Sequence, residues 1–505
     1  MLSGTSKATR REWIALSVLA LPGLVYTTDL TALDVALPTI SAMLQPSSAQ
    51  LLWLVDIYGF MMAGFLITMG TVGDLIGRRR LLMLGAAAFV LVSCAASLAK
   101  SPEMLIALRA LLGIAAATLA PSTMSLLRNM FHDEEERQLA IGVWVASIAS
   151  GGVLGALASG AVLRFFSWHS VFLIPVPPML LVLILGPSLL PEFKDANAGR
   201  LDLLSVVMSL AAILPVIQGL KLIAANGIGV LPIILVVAGF AAGVEFVRRQ
   251  RLLAYPLVDL SLFREPKFTP AVTTYGLSCF AMFGLYVLLA QYLQLVLALS
   301  PWEAGMATAP WPLATVVGSL AAPALSTRFG TRSILIAGLI TGIVGMAMLA
   351  AAIGGLGLAG LEVSTVVFSF GLALVLTSAY ELIVTSCPPH RSGAAAAIAE
   401  TASEFGGAMG IALLGSVGTA IYRHFLVTTL PEGLPSAAGV RALATMGGAS
   451  ATAAALPPSV GEPLLVSARA AFTTALQFTS VAAAMAVAAG CAVAIRAWRR
   501  TARES

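Results

Sequence analysis

Apolar and polar residues do not alternate along this chain; the apolar ones come in blocks. From about residue 13 onward, long runs of apolar side chains follow one another, separated by short breaks rich in Gly, Pro, Asp, Arg or Lys. A helix crosses about 30 Å of hydrocarbon with roughly 20 apolar residues, whereas a barrel strand needs only about 9–11. Blocks this long therefore predict membrane-spanning helices, which satisfy their own backbone hydrogen bonds in lipid. Fourteen spans are expected, numbered one to fourteen in chain order, at 13–37, 50–71, 81–99, 103–127, 138–163, 168–190, 201–221, 228–247, 270–297, 303–325, 332–353, 359–386, 393–422 and 471–495. An even count puts both termini on one side.

Composition agrees with this picture. The 505 residues are 59% hydrophobic and only 10% charged, with a mean hydropathy of +0.95, whereas soluble domains carry about 25% charged residues. The net charge of +5 matters less than its placement. With the N-terminus inside, twenty-two Lys and Arg fall in inner segments and six in outer ones, and Arg109 lies within span four. Such a bias marks the cytoplasmic side, so a multi-pass protein of the inner (cytoplasmic) membrane with both termini cytoplasmic is expected. Lys7, Arg10 and Arg11 precede a first run too long for a signal-peptide core, so that run is expected to remain as a helix.

Several function classes drop out. Neither a GxxxxGK[ST] nucleotide loop nor an HExxH or GxSxG motif occurs, and the inner loops are too short for an ATPase domain. Transport would then run on an ion or concentration gradient, without a cofactor. Cys94, Cys279, Cys387 and Cys491 are scattered and His132, His169, His390 and His424 are dispersed, so no metal site is expected. The outward loop 423–470, rich in Pro, Gly, Ala and Ser, reads as a spacer, flexible or carrying a short helix.

An internal echo organises the chain. The loop after span two reads DLIGRRRLL (74–82) and the loop after span ten reads TRFGTRSIL (327–335); aligning Gly77 with Gly330 aligns Arg79 with Arg332. The all-α architecture expected is two six-helix bundles, residues 13–190 and 251–495, around a two-helix insert at 191–250 formed by spans seven and eight. Cytoplasmic ends at 1–12 and 496–505 complete it. Repeated bundles with a cavity between them are the usual plan of secondary transporters.

A charge at the bilayer centre costs about 3 kcal/mol or more, which makes intramembrane acids functional candidates. They are Asp29 and Asp34 in span one, Asp56 in span two, Glu381 in span twelve, and Glu400 and Glu404 in span thirteen. Asp29 and Asp34 are five residues apart, a net turn of about 140°, so one of them is expected to face a cavity, and Asp29 is the deeper. Asp56 lies between Trp53 and Tyr58, and a carboxylate beside aromatic rings suits a lipophilic cation. Glu400 and Glu404 share one helix face; two like charges in low dielectric resist joint ionisation, so the pair is poised to exchange a proton for a cation. Glu381 lies nearer the cytoplasmic end, as a cavity acid or one reaching inner water. Arg109 is a base suited to neutralising an acid of the first bundle. GTVGDLIGRRR (70–80) frames a tight inner turn with Gly70, Gly77, Asp74 and Arg78, the parts of a gate latch. The small residues of GVWVASIASGGVLGALASG (142–160) and GGAMG (406–410) permit close helix packing.

These motifs resemble a known family. GTVGDLIGRRR is similar to the loop 2–3 signature of the Major Facilitator Superfamily, and LRALLG (108–113) to its span-four motif. TDLTALDVALPTI (28–40), LLWLVDIYGFMMAG (51–64) and ETASEFGGAMGIALLG (400–415) resemble the fourteen-span drug/proton antiporters of that superfamily, multidrug exporters of the QacA and SmvA type. The resemblance implies a major facilitator fold. It also implies that Asp29, Asp56, Glu400 and Glu404 recognise protons and cations, that Arg109 serves proton coupling, and that Asp74 and Arg78 belong to the gate. It departs at Gly155–Ala156, where relatives carry Gly-Pro, at Asp34, where many carry Asn, and in TAPWPLATVVGS (308–319), which has no acid. The last departure leads us to expect poor handling of dications. The function expected is export of quaternary ammonium compounds, dyes and drugs in exchange for protons, by a monomer with no nucleic-acid partner. A dedicated natural-product or antibiotic self-resistance exporter is the nearest alternative; an integral-membrane enzyme or sensor is a more distant one.

Overall fold

The computed structural model describes residues 7–46, 48–194, 202–227, 229–253, 256–258, 260–388, 391–431 and 434–504. Residues 1–6 and 505 of the chain ends, and 195–201 at the start of the expected insert, including Arg200, lie outside the described residues. Helices form every regular element described. Spans one to seven are Arg10–Leu44, Ser48–Ile76, Arg78–Ala96, Pro102–Met130, Glu134–Phe165, Trp168–Leu189 and Leu203–Asn226. Spans eight to fourteen are Val230–Leu252, Phe268–Val296, Pro310–Phe329, Thr331–Ala352, Gly357–Thr385, Ser392–Val427 and Pro458–Glu504.

Thirteen of these helices are long and apolar enough to cross a membrane. Span ten, 20 residues long, is the exception: its prolines, hydroxyl side chains and Arg328 dilute its apolarity without shortening it. A separate helix, Pro301–Thr308, precedes it. The run expected at 303–325 is thus two helices joined at Ala309, ahead of Pro310, whose ring brings no N–H to a continuous ladder.

Local sequence explains the ends. Ser101 accepts from the Met104 N–H at 3.2 Å with Pro102 in the first turn of span four, a start signal twice over. Asp133 caps span five by accepting from Glu136 N at 3.1 Å, and three glutamates follow in that first turn, where the helix dipole favours negative charge. The two echoed turns share one backbone device: Gly77 has φ +110° and Gly330 φ +83°, a region that side chains avoid.

The loop between spans thirteen and fourteen is more built than a spacer. Helices Ser436–Ala444 and Met446–Ala454 occupy it, and span fourteen starts at Pro458 rather than near 471. Tyr422 of span thirteen donates to the Ala442 carbonyl at 2.9 Å, and Met446 and Ala449 are buried. Alanine-rich sequence of moderate hydropathy has high helix propensity, a signal that a reading by long apolar runs passes over.

Small residues set the helix contacts. A Cβ on Gly151 or Gly155 of span five would stand 2.2 Å from the Leu24 carbonyl oxygen or 2.5 Å from that of Thr28 in span one. One on Gly406 or Gly410 would stand 2.3 Å or 2.0 Å from backbone oxygens of span nine. Both glycine-rich stretches are therefore backbone contacts. Spans seven and eight pair with each other, and span seven lies against spans two and thirteen, where Ile213, Ile217 and Leu214 meet Phe60, Ala63 and Ala408. The insert thus seals a seam between the two six-helix groups.

Candidate functional site

The centre of the first group is an ion pair. Asp29 of span one and Arg109 of span four bond directly, with side chains 3% and 0% exposed. The Arg109 guanidinium also lies 4.7 Å from the centroid of the Tyr58 ring, which stacks near Tyr26 at 6.4 Å. A buried cation needs a counter-ion and ring faces to offset lost hydration; for Arg109 of span four, span one supplies the first and span two the second. Arg109 thus neutralises Asp29, a partner that spacing alone does not name. Asp29 is expected to face a cavity; in this state it is enclosed by Arg109. The Tyr58 ring beside Asp56 serves this internal cation, so the Trp53–Asp56–Tyr58 run is not one continuous wall.

Opposite stands span thirteen. Tyr26 donates to Glu404 Oε1 at 2.8 Å, joining span one to span thirteen across the two groups. One turn away Glu400 is 8% exposed, with Oε1 making no hydrogen bond among the described residues. Its surroundings are aromatic: the Tyr380 hydroxyl faces it, Trp144 and Tyr275 lie 5.2 and 5.5 Å from the Tyr380 ring centroid, and Tyr275 also neighbours Glu400. Pro22, Tyr26, Met62, Trp144 and Glu400 line a small cavity, about 20 Å³ as traced by the centre of a water molecule. That space suits ordered water and falls far below the 300–1,000 Å³ or so of drug-sized pockets. The two spans-thirteen acids therefore occupy a mostly apolar, aromatic-walled interface that is closed in this state.

The basic end of the molecule holds the closure. Arg78 bonds to Asp74 four residues earlier and packs its guanidinium against Gly393 at the start of span thirteen, where a Cβ would stand 2.1 Å from it. Gly70 faces the same helix, with a Cβ position 3.1 Å from that of Ala397. Arg79 and Arg80 reach Glu192 beyond span six at 3.6 and 3.8 Å. Arg128, at the end of span four, donates to the Val384 and Thr385 carbonyls, the last turn of span twelve; nothing in the run pattern marked it beyond its charge. Glu381 is 6% exposed in that same turn, beside Gln138, Arg137 and Glu134 of span five. It is thus an acid of the contact between groups rather than one reaching open water.

The remaining two acids lie toward the opposite end. Asp34 is exposed, with Tyr286 of span nine as an electrostatic neighbour, and Asp56 is half-buried. Hydrogen bonds that join the groups include Tyr26–Glu404, Arg128–Val384, Gln138–Thr331 and Ser392–Ser125. No cluster of metal-ligating side chains occurs among the described residues. Tyr26, Tyr380, Trp144 and Arg128 are the site residues that sequence reasoning missed. Each lies far along the chain from its partner, and a tyrosine in an apolar run gives no signal of its own.

Comparison with known proteins places this arrangement. The sequence model of the Major Facilitator Superfamily matches residues 19–411. The chain is 41% identical over 502 residues to the multidrug efflux pump LfrA of Mycolicibacterium smegmatis, covering 99% of each protein. It is 35% identical over 474 residues to the methyl viologen resistance protein SmvA of Salmonella typhimurium, covering 92% of this chain and 93% of that one. Among solved structures, the human organic anion transporter MFSD10 superposes with a TM-score of 0.61 at 14% identity, over 94% of this chain and 99% of that one, a likeness of fold alone. With a family match across most of its length and a full-length relative, the chain belongs to the Major Facilitator Superfamily of membrane transporters.

Proposed function

We propose that this chain exports lipophilic organic cations, such as quaternary ammonium compounds and dyes, in exchange for protons. Drug export is supported by the likeness to a multidrug efflux pump and a methyl viologen resistance protein within a superfamily of membrane transporters; the cation class and the proton are the finer reading. One observation carries it: Glu400 and Glu404 stand one turn apart at the interface of the two groups, among Tyr26, Trp144 and Tyr380. Carboxylates supply charge and aromatic faces supply cation–π attraction, the combination that recognises quaternary ammonium groups. In an apolar setting the two acids are most stable when a proton or a cation offsets their charge, so the two ligands compete for one place.

In this reading the basic end is cytoplasmic, both termini lie there, and the protein works as a monomer in the inner membrane without a cofactor. The insert of spans seven and eight separates bundles at 13–190 and 251–495. A cation entering from the cytoplasm or inner leaflet displaces protons from the span-thirteen acids. Arg78, Asp74 and Arg128 then close the inner side, and reprotonation from outside releases the cation. Asp29, held by Arg109, supports this exchange from the first bundle, while Asp34 and Asp56 face the outer path. Glu381, with Gly70 and Gly77, belongs to the inner closure.

Dye efflux from proteoliposomes under an imposed pH gradient tests the reading. Accumulated ethidium should leave faster when the gradient is applied and stop when it is collapsed. Transport of anionic or neutral compounds only would overturn it.

A further inference from the structure

Outside the site, an open concavity lies on the insert. Spans seven and eight leave a groove of about 500 Å³ beside Phe405 of span thirteen. Its floor is small and apolar, with Ala212, Gly239 and Gly243, and its walls are Phe240, Val244 and Phe405. Phe240 and Val244 are 57% and 53% exposed, so the groove opens sideways, away from the bundle. Its basic end differs: Arg248 and Arg251, both exposed, close it there.

The dimensions fit one leaflet. Phe240 to Arg251 is eleven residues of helix, about 16 Å at 1.5 Å per residue, against a half-thickness of hydrocarbon of about 15 Å. An apolar trough of that length ending in two guanidinium groups complements a molecule with an apolar chain and an anionic head. It repels the cationic substrates proposed above, so it is not their entrance. Glu245 pairs with Arg248 at 3.5 Å, a contact between exposed side chains that a phosphate would readily exchange.

We propose that the groove between spans seven, eight and thirteen binds one anionic phospholipid, its acyl chain along Gly239 and Gly243 and its phosphate on Arg248 and Arg251. Naming the leaflet as the cytoplasmic one rests on the orientation proposed above; the site itself does not. Basic pockets between membrane helices bind anionic headgroups by this chemistry. The bound chain would touch Phe405, the residue after Glu404, and so lie against the helix that carries the transport acids.

Native mass spectrometry of the full-length protein in micelles containing equal phosphatidylglycerol and phosphatidylcholine tests this without any transport assay. The intact chain should retain one phosphatidylglycerol several-fold over phosphatidylcholine. Arg248→Ala with Arg251→Ala should bring the two lipids to parity. Gly243→Trp, which leaves both arginines in place, should lower retention of both; a Cβ there would stand 3.7 Å from Ala212, so the change fills the groove rather than breaking the pair of helices. Equal retention of the two lipids by the unaltered chain, unchanged preference in the double variant, or displacement by inorganic phosphate alone would overturn the proposal. So would a dimer sealing the groove.

Discussion

Single side chains in this protein divide into charges that are settled and charges that are available. Asp29 and Arg109 settle each other, fully enclosed. Removing one partner of a buried pair leaves an uncompensated charge and costs about 3–5 kcal/mol, while removing both costs far less. Arg109→Ala should therefore lower the unfolding midpoint in detergent more than Asp29→Asn with Arg109→Met does; equal losses would mean that the pair is not stabilised by mutual neutralisation. Glu404 accepts from the Tyr26 hydroxyl, and Glu400 Oε1 has no hydrogen-bond partner among the described residues. Glu404→Gln and Glu400→Gln should each cut gradient-driven dye efflux at least tenfold with folding intact. Efflux in Glu404→Gln that still follows the pH gradient at the normal rate would remove that residue from the coupling. Tyr26→Phe deletes one hydrogen bond to a charged group, worth about 1.5–3 kcal/mol, and should shift the pH midpoint of transport rather than abolish it.

At the scale of helices and turns, the two echoed loops carry the same glycine with different surroundings. A side chain at positive φ costs roughly 1–2 kcal/mol. At Gly330 nothing lies within 4 Å of an added Cβ, whereas at Gly77 the Glu192 carboxylate lies at 2.5 Å. Gly330→Ala should thus lose only the conformational term, and Gly77→Ala should lose more, with the Arg79–Glu192 contact disturbed as well. Thermal unfolding of both variants measures the difference; a costlier Gly330→Ala would contradict the geometry. The repeat is legible in sequence because a turn of this kind admits essentially one residue. Its consequence is not, because what stands opposite each glycine comes from a different helix.

Across the whole molecule, the closure at the basic end joins span two to thirteen, span four to twelve and thirteen, and span five to ten and eleven. Gly142 of span five has its Cβ position 2.6 Å from the Ser319 carbonyl oxygen, and Gln138 donates to Thr331 at 3.3 Å. Alternating access requires these contacts to part. In a background lacking Cys94, Cys279, Cys387 and Cys491, Gly70→Cys with Ala397→Cys should form a disulfide, since their Cβ positions lie 3.1 Å apart, close to the spacing a disulfide adopts. Oxidation should stop efflux and reduction should restore it. Undiminished efflux by the fully oxidised protein would show that this face does not open in the cycle.

The sequence alone determined that the chain is a many-span helical membrane protein with two related halves, because burial in lipid forces long apolar runs and a tight positive-φ turn forces glycine. It also determined which charges are rare enough to matter: Asp29, Asp56, Glu400, Glu404 and Arg109 stand out because each is costly in hydrocarbon. Tertiary structure alone decided what each charge does. Helical spacing fixes only which residues of one helix share a face, so it cannot tell that Arg109 reaches Asp29, that Tyr26 crosses to Glu404, or that Arg128 seats on the end of span twelve. Those pairings depend on how fourteen helices pack, and packing here is set by glycines whose partners are backbone atoms more than a hundred residues away.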